Sequence, residues 1–192
     1  MDEDLTVDQL IARIKGDDEA ARAAAWQNAA SAGPAAVKPL AALIIDGNIE
    51  TARAAKRALW VIVRHVGRPG ADAEKKPVVA QLCGLLGGSQ PIAVQREALW
   101  MLSEIGGDEA IAAIREMPDI LENTELREDA RCAVERIPGD AAVAALHDGL
   151  DAAPDDFKPA MAHSLRVRGV EVSGIPCQKL VPTKQTQVKP GG

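Results

Sequence analysis

The chain has 192 residues and a net charge of -6, and it is 47% hydrophobic but only 2% aromatic, with one Phe, no Tyr and three Trp. Its core must therefore come from Ala, Leu, Ile and Val. Ala favours helix above all other residues, which speaks against a β-sandwich or barrel built on aromatic and β-branched side chains. The overall acidity also speaks against general nucleic-acid affinity, which needs phosphate neutralisation over a broad face.

In chain order, apolar residues at i, i+3, i+4 and i+7 spacing mark a first set of helices. They are Val7, Leu10, Ile11 and Ile14, then Val37, Leu40, Leu43 and Ile44, then Val79, Leu82 and Leu86. Ile111, Ile114 and Met117 mark the fourth, and Val143, Leu146 and Leu150 the fifth. Each is followed by a second, Ala-containing helical segment ending in Gly: Arg22–Gly33, Lys56–Gly67, Arg96–Gly107, Glu128–Gly139 and Lys158–Gly169. Gly16-Asp17-Asp18, Gly33-Pro34, Asp46-Gly47-Asn48, Gly87-Gly88-Ser89 and Pro138-Gly139-Asp140 supply stop and N-cap chemistry between them. Aligned on the final Gly, the second segments place Ala nine residues earlier every time, at Ala24, Ala58, Ala98, Ala130 and Ala160. A small side chain recurring at one position lets neighbouring helices approach closely. One amphipathic pair cannot bury its own apolar face, whereas stacked pairs share a continuous core. The spacing thus predicts an all-α, right-handed α-solenoid of about five antiparallel helix pairs over residues 1–170, followed by an irregular tail at 171–192.

The segments Val94–Ile114 (VQREALWMLSEIGGDEAIAAI) and Leu126–Leu146 (LREDARCAVERIPGDAAVAAL) resemble HEAT repeats of the phycobilisome-lyase-like class, and Ala21–Leu40 resembles them as well. The resemblance implies a HEAT-like superhelix whose second helices line the concave face. It is specific for fold and nearly silent on function, since such repeats serve as scaffolds, adaptors and occasional enzymes; the expected role is a protein-interaction or scaffold module. There is a weaker resemblance to armadillo repeats, in which a Trp is followed four residues later by Asn. Here Ala30, Arg64 and Glu104 occupy those places.

The candidate binding residues come from a second recurrence. Trp26, Trp60 and Trp100 stand seven residues before the terminal Gly in the first three units, each four residues after a basic residue, Arg22, Lys56 or Arg96. Residues four apart are neighbours on a helix, and a cation beside an indole face contributes about 0.5–1 kcal/mol at an exposed site. Relative to the apolar stripe of its helix, Trp100 points about 140° away and reads as exposed, whereas Trp60 lies about 115° away on a flank. The stretch 51–76 carries seven basic and two acidic residues in an otherwise acidic chain. Within it, Arg53, Lys56, Arg57 and Arg64 could steer an acidic partner. Together these give a partner-binding set of Trp26, Trp60, Trp100, Arg22, Arg53, Lys56, Arg57, Arg64 and Arg96, with a protein or peptide as the expected partner. The acidic residues Glu122, Glu125, Glu128 and Asp129 read as a solvated helix start that suits the macrodipole.

No catalytic signature appears, and no cofactor or metal is expected. His65, His147 and His163 lie in three different units, and there is no His-Glu dipeptide of the kind that binds iron in HEAT-repeat hydroxylases. The alternatives are a catalytic or non-catalytic subunit of a lyase- or glycosylase-type HEAT enzyme, or weak nucleic-acid binding through the 51–76 island. Three cysteines at metal-free spacing read as free thiols of a reducing, cytoplasmic compartment. No apolar run approaches the roughly 20 residues of a membrane span. In the tail, Ile175, Leu180 and Val181 would anchor any docking of that segment. An uncapped last helix pair would expose Phe157 or Met161 and drive pairing, or else the tail would cover it.

Overall fold

A computed structural model describes residues 5–176, and those residues are all-helical, with no strand among them. The helices are α1 (Val7–Lys15), α2 (Glu19–Gln27), α3 (Val37–Ala42), α4 (Ile49–Val66), α5 (Asp72–Cys83), α6 (Ile92–Ile105), α7 (Asp108–Arg115), α8 (Arg127–Arg136), α9 (Asp140–Ala152) and α10 (Lys158–Val167). Three of the starts follow from side-chain caps. Thr6 and Gln9 form a reciprocal capping box on α1, Asp18 accepts from Ala20 and Ala21, and Asn48 accepts from Glu50 and Thr51. Each cap satisfies amide groups that a helix N-terminus leaves without partners.

The odd and even helices pair as the periodicity predicts, α1 with α2 through α9 with α10. Each even helix also packs on the next even helix, and α3, α5, α7 and α9 pack in succession. One apolar cluster runs from Leu5 to Leu165 through all five pairs. Ala58, Ala98 and Ala130, in the three pairs flanked on both sides, are buried. Ala24 is exposed and Ala160 half-buried, in the two pairs flanked on one side only. The close-approach role of the recurring Ala thus operates where a helix has neighbours to approach.

Two expectations need correction, and one open alternative is decided. The second segment of the first unit is not one helix to Gly33: the α-helix ends at Gln27 and two short 3-10 turns follow over Ala29–Ala36. Asn28 Nδ2 donates to the Ala24 carbonyl, and Gly33 takes φ 57°, ψ -151°, a conformation open to Gly and followed by Pro34, so the α-helix cannot run on. Leu86 and Met117 fall beyond the ends of α5 and α7, yet both are buried. Finally, of the two states left open for the last pair, Phe157 and Met161 take the buried one.

The chain beyond α10 turns back on the helices. Val170 and Val172 pack against the core, and the Arg166 guanidinium donates to the carbonyls of Val172 and Ile175. Arg168 donates to the Glu135, Ile137 and Gly139 carbonyls, so α10 and the α8–α9 turn are tied together. Cys177, Leu180 and Val181 lie outside the described residues, as do residues 1–4.

Candidate functional site

Even helices place the Trp frame at the seams between successive pairs. At the seam of the second and third pairs, Trp60 on α4 donates its Nε1–H to Glu97 Oε1 of α6 at 2.6 Å. Lys56, one turn earlier on α4, meets the other oxygen, Oε2, at 2.5 Å. The seam of the third and fourth pairs repeats this arrangement. Trp100 Nε1–H donates to Asp129 Oδ1 at 2.9 Å and Arg96 Nε donates to Asp129 Oδ2 at 2.9 Å. Arg96 also reaches the Glu125 carbonyl at 2.6 Å. In both seams one carboxylate of the following helix is clasped between an indole N–H and a cation. The Glu97 side chain is only 9% exposed, where an unpaired carboxylate would be costly.

The clasped carboxylates share one position. Glu97 and Asp129 each stand ten residues before the terminal Gly of their unit. In the second unit that position is Arg57, and the first seam is built differently. Arg57 lies over the Trp26 ring at 5.4 Å, a cation–π contact in place of a clasp. Arg22, the counterpart of Lys56 and Arg96, turns away to the C-terminus of α1 and donates to the Ile14 and Gly16 carbonyls. Arg64 lies over the half-buried Trp60 ring at 5.5 Å.

These contacts leave a shallow concavity of about 400 Å³ lined by Trp26, Arg53, Lys56, Arg57, Trp60, Val61 and Arg64. Six of the nine nominated residues therefore come together, and Arg22, Arg96 and Trp100 do not join them. Trp100 is half-buried with its N–H committed to Asp129, which corrects the expectation of an exposed ring. Asp129 is correspondingly not a solvated helix-start residue. Arg53 pairs with Glu50 at 2.8 Å and Lys56 with Glu97. Arg57 and Arg64 stack on indoles and have no carboxylate partner among the described residues. Arg68, also in the basic stretch, pairs with Glu74 instead.

Sequence reasoning missed Glu97 and Asp129 as seam residues. The signal was present: reading position minus ten in the same frame as the Trp gives Arg, Glu, Asp for the second to fourth units. In the fourth unit Cys132 occupies the Trp place. Burial raises its thiol pKa, as it does for Cys83, which burial and the nearby Glu109 carboxylate push up to about 11. Neither is a poised nucleophile at neutral pH. The seam after Cys132 uses another device: Arg131 Nη1 and Ser164 Oγ both donate to Glu135 Oε2, at 3.0 and 2.6 Å.

A second cleft of about 210 Å³ lies between the fourth and fifth pairs, lined mainly by apolar residues such as Ile120, Leu121, Val134 and Leu146. Its three arginines are already engaged, Arg115 by Asp148, Arg127 by Asp156 and Arg131 by Glu128 and Glu135. Among the described residues no group of three or more His, Cys, Asp or Glu is placed to hold a metal ion. No single helix among them is long and apolar enough to cross a membrane.

No family model matches the chain, and no curated protein does. Among solved structures, the crystal structure of an engineered protein from a structural genomics consortium is similar over 84% of this chain and 78% of its own. The identity is 24% and the TM-score 0.42.

Proposed function

We propose that this chain is a protein-interaction module, a HEAT-like right-handed α-solenoid that binds an acidic segment of a partner protein in the groove between Trp26 and Trp60. The solenoid reading is supported by successive packing of even helix on even helix and by the recurring Ala, Trp and Gly frame. A cytoplasmic setting suits the free thiols of Cys83 and Cys132.

One observation carries the binding reading. Arg57 and Arg64 hold their guanidinium donors over indole faces, unneutralised, on one side of α4. They are seven residues apart, about 10 Å along a helix axis. Stacking on a ring limits the rotamers of a long side chain, so less entropy is lost when it grips an anion, and Arg suits bidentate carboxylate recognition. The two Trp add large, partly apolar area of the kind enriched at binding hot spots. The test is fluorescence anisotropy with a labelled Glu-rich peptide, its Gln counterpart as control, and an oligothymidylate as competitor. The Glu peptide should bind the wild type, and Arg57→Gln/Arg64→Gln should weaken it at least tenfold. Tight binding of the oligonucleotide with no binding of the Glu peptide would transfer the groove to nucleic-acid recognition.

A further inference from the structure

The groove reading can be taken to a single chemical group, because the molecule carries its own template for the ligand. Two consecutive seams are closed in the same way: the indole N–H of a Trp takes one carboxylate oxygen, and a cation four residues earlier takes the other. The carboxylate always comes from the position ten before the terminal Gly of the next unit, Glu97 or Asp129. The first seam has the Trp of this clasp but not the carboxylate. Arg57 stands where Glu97 and Asp129 stand, so the seam gains a positive charge where the others gain a negative one. Arg22, which would complete the cationic half, is committed to the Ile14 and Gly16 carbonyls. Trp26 Nε1–H has no hydrogen-bond partner among the described residues, and its ring lines the groove.

Resting on the reading of the groove as an acidic-segment site, we propose that a partner's Asp or Glu side chain completes the first seam in trans. Its carboxylate occupies the place of the missing internal acid, accepting from the Trp26 indole N–H and pairing with Arg57. Arg64, on the same face and two turns along α4, takes a second carboxylate of the same segment. The source is an acidic protein segment rather than a nucleic acid because the template that the fold repeats is a planar carboxylate received edge-on by an indole and a cation. Replacing the internal acid by Arg converts a self-sufficient seam into one that seeks an anion.

Three tryptophans give three indole N–H resonances in a ¹⁵N-labelled sample, so the seams can be read separately. Adding the Glu-rich peptide should move the Trp26 Nε1–H resonance most, that of Trp60 less, and leave that of Trp100 in place. Trp26→Phe keeps an aromatic ring for Arg57 but removes the donor, and should weaken peptide binding about tenfold, the scale of one hydrogen bond to a charged group. Arg57→Glu should supply the missing carboxylate in cis. It should shift the Trp26 resonance in the absence of peptide and abolish peptide binding. Unchanged affinity in Trp26→Phe, or a peptide that moves the Trp60 or Trp100 resonance but not that of Trp26, would overturn the completed clasp while leaving the acidic-segment groove standing. Equal binding of the Gln peptide would overturn the carboxylate assignment alone. Absence of any peptide binding to the wild type would remove both readings.

Discussion

The seam between the first two helix pairs and the two seams that follow it begin from the same sequence frame and end differently. Trp60 and Trp100 each share a carboxylate of the next even helix with a neighbouring cation. Trp26 meets Arg57 instead, and its own unit's Arg22 faces elsewhere. One residue type at one position separates the two outcomes. An acid there makes a half-buried contact that joins helices, because the buried carboxylate is satisfied on both oxygens. An Arg there leaves charge at the surface and an indole donor without a partner among the described residues. The same Trp ladder thus joins helices in the middle of the molecule and, at its first seam, leaves open the surface to which recognition is assigned in our proposal.

The largest test of that division is deletion of each ring. Trp60→Ala and Trp100→Ala should each lower stability by about 3 kcal/mol in urea unfolding, the low end of Trp→Ala losses because neither ring is fully buried. Trp26→Ala should lose about 1 kcal/mol, from partial apolar burial and the exposed Arg57 stack, with no clasp to break. Equal losses at all three would erase the distinction. Removal of the acids comes next. Glu97→Ala and Asp129→Ala should each cost about 2 kcal/mol, since each strips a charged acceptor from an indole N–H and a cation together. Arg57→Ala, at the same frame position, should stay within about 0.5 kcal/mol of wild type, as exposed substitutions do.

Most of the helix pairing was legible in the sequence, and the seams were not, for one physical reason. Periodicity reports the single face of a helix that is most apolar. It found Leu10, Ile14, Leu40, Leu82 and Leu146, all fully buried. Helix α6, however, is covered on more than one side, by α5, α8 and α4, so that Gln95, Glu97 and Ser103 are buried with Leu99 and Leu102. A direction drawn from the apolar stripe therefore put Trp100 toward solvent, although its seat lies against α8. The break after Gln27 was hidden likewise, because Ala29 and Ala36 are as apolar as residues of a continuing helix. Only Asn28 and the left-handed Gly33 end it. The groove was half legible: the basic stretch and the Trp frame nominated six of its lining residues. The acids that distinguish a closed seam from an open one became visible only once neighbouring helices were in place.

The fourth seam extends the comparison to a place where the Trp itself is missing. There the fully buried Ser164 hydroxyl and Arg131 meet on Glu135. Ser164→Ala should cost about 1 kcal/mol, the net worth of one hydrogen bond, and so less than loss of an acid from a Trp clasp. The smallest effect is a pH dependence. Cys132, in the Trp place, and Cys83 on α5 both have thiol pKa values raised by burial, Cys83 to about 11. A raised thiol pKa in the folded state means that folding favours the protonated form. Its contribution to stability is complete below the unfolded thiol pKa and is lost as pH rises through the folded value. Peptide-mapped alkylation should accordingly find Cys83 slow to react near pH 8 and accelerating toward about pH 11, while unfolding in urea should abolish the delay. A Cys83 that reacts at the unfolded rate near pH 8 would mean that the α5 layer opens freely. The cohesion assigned to the middle of the molecule would then fail where α5 packs on α6.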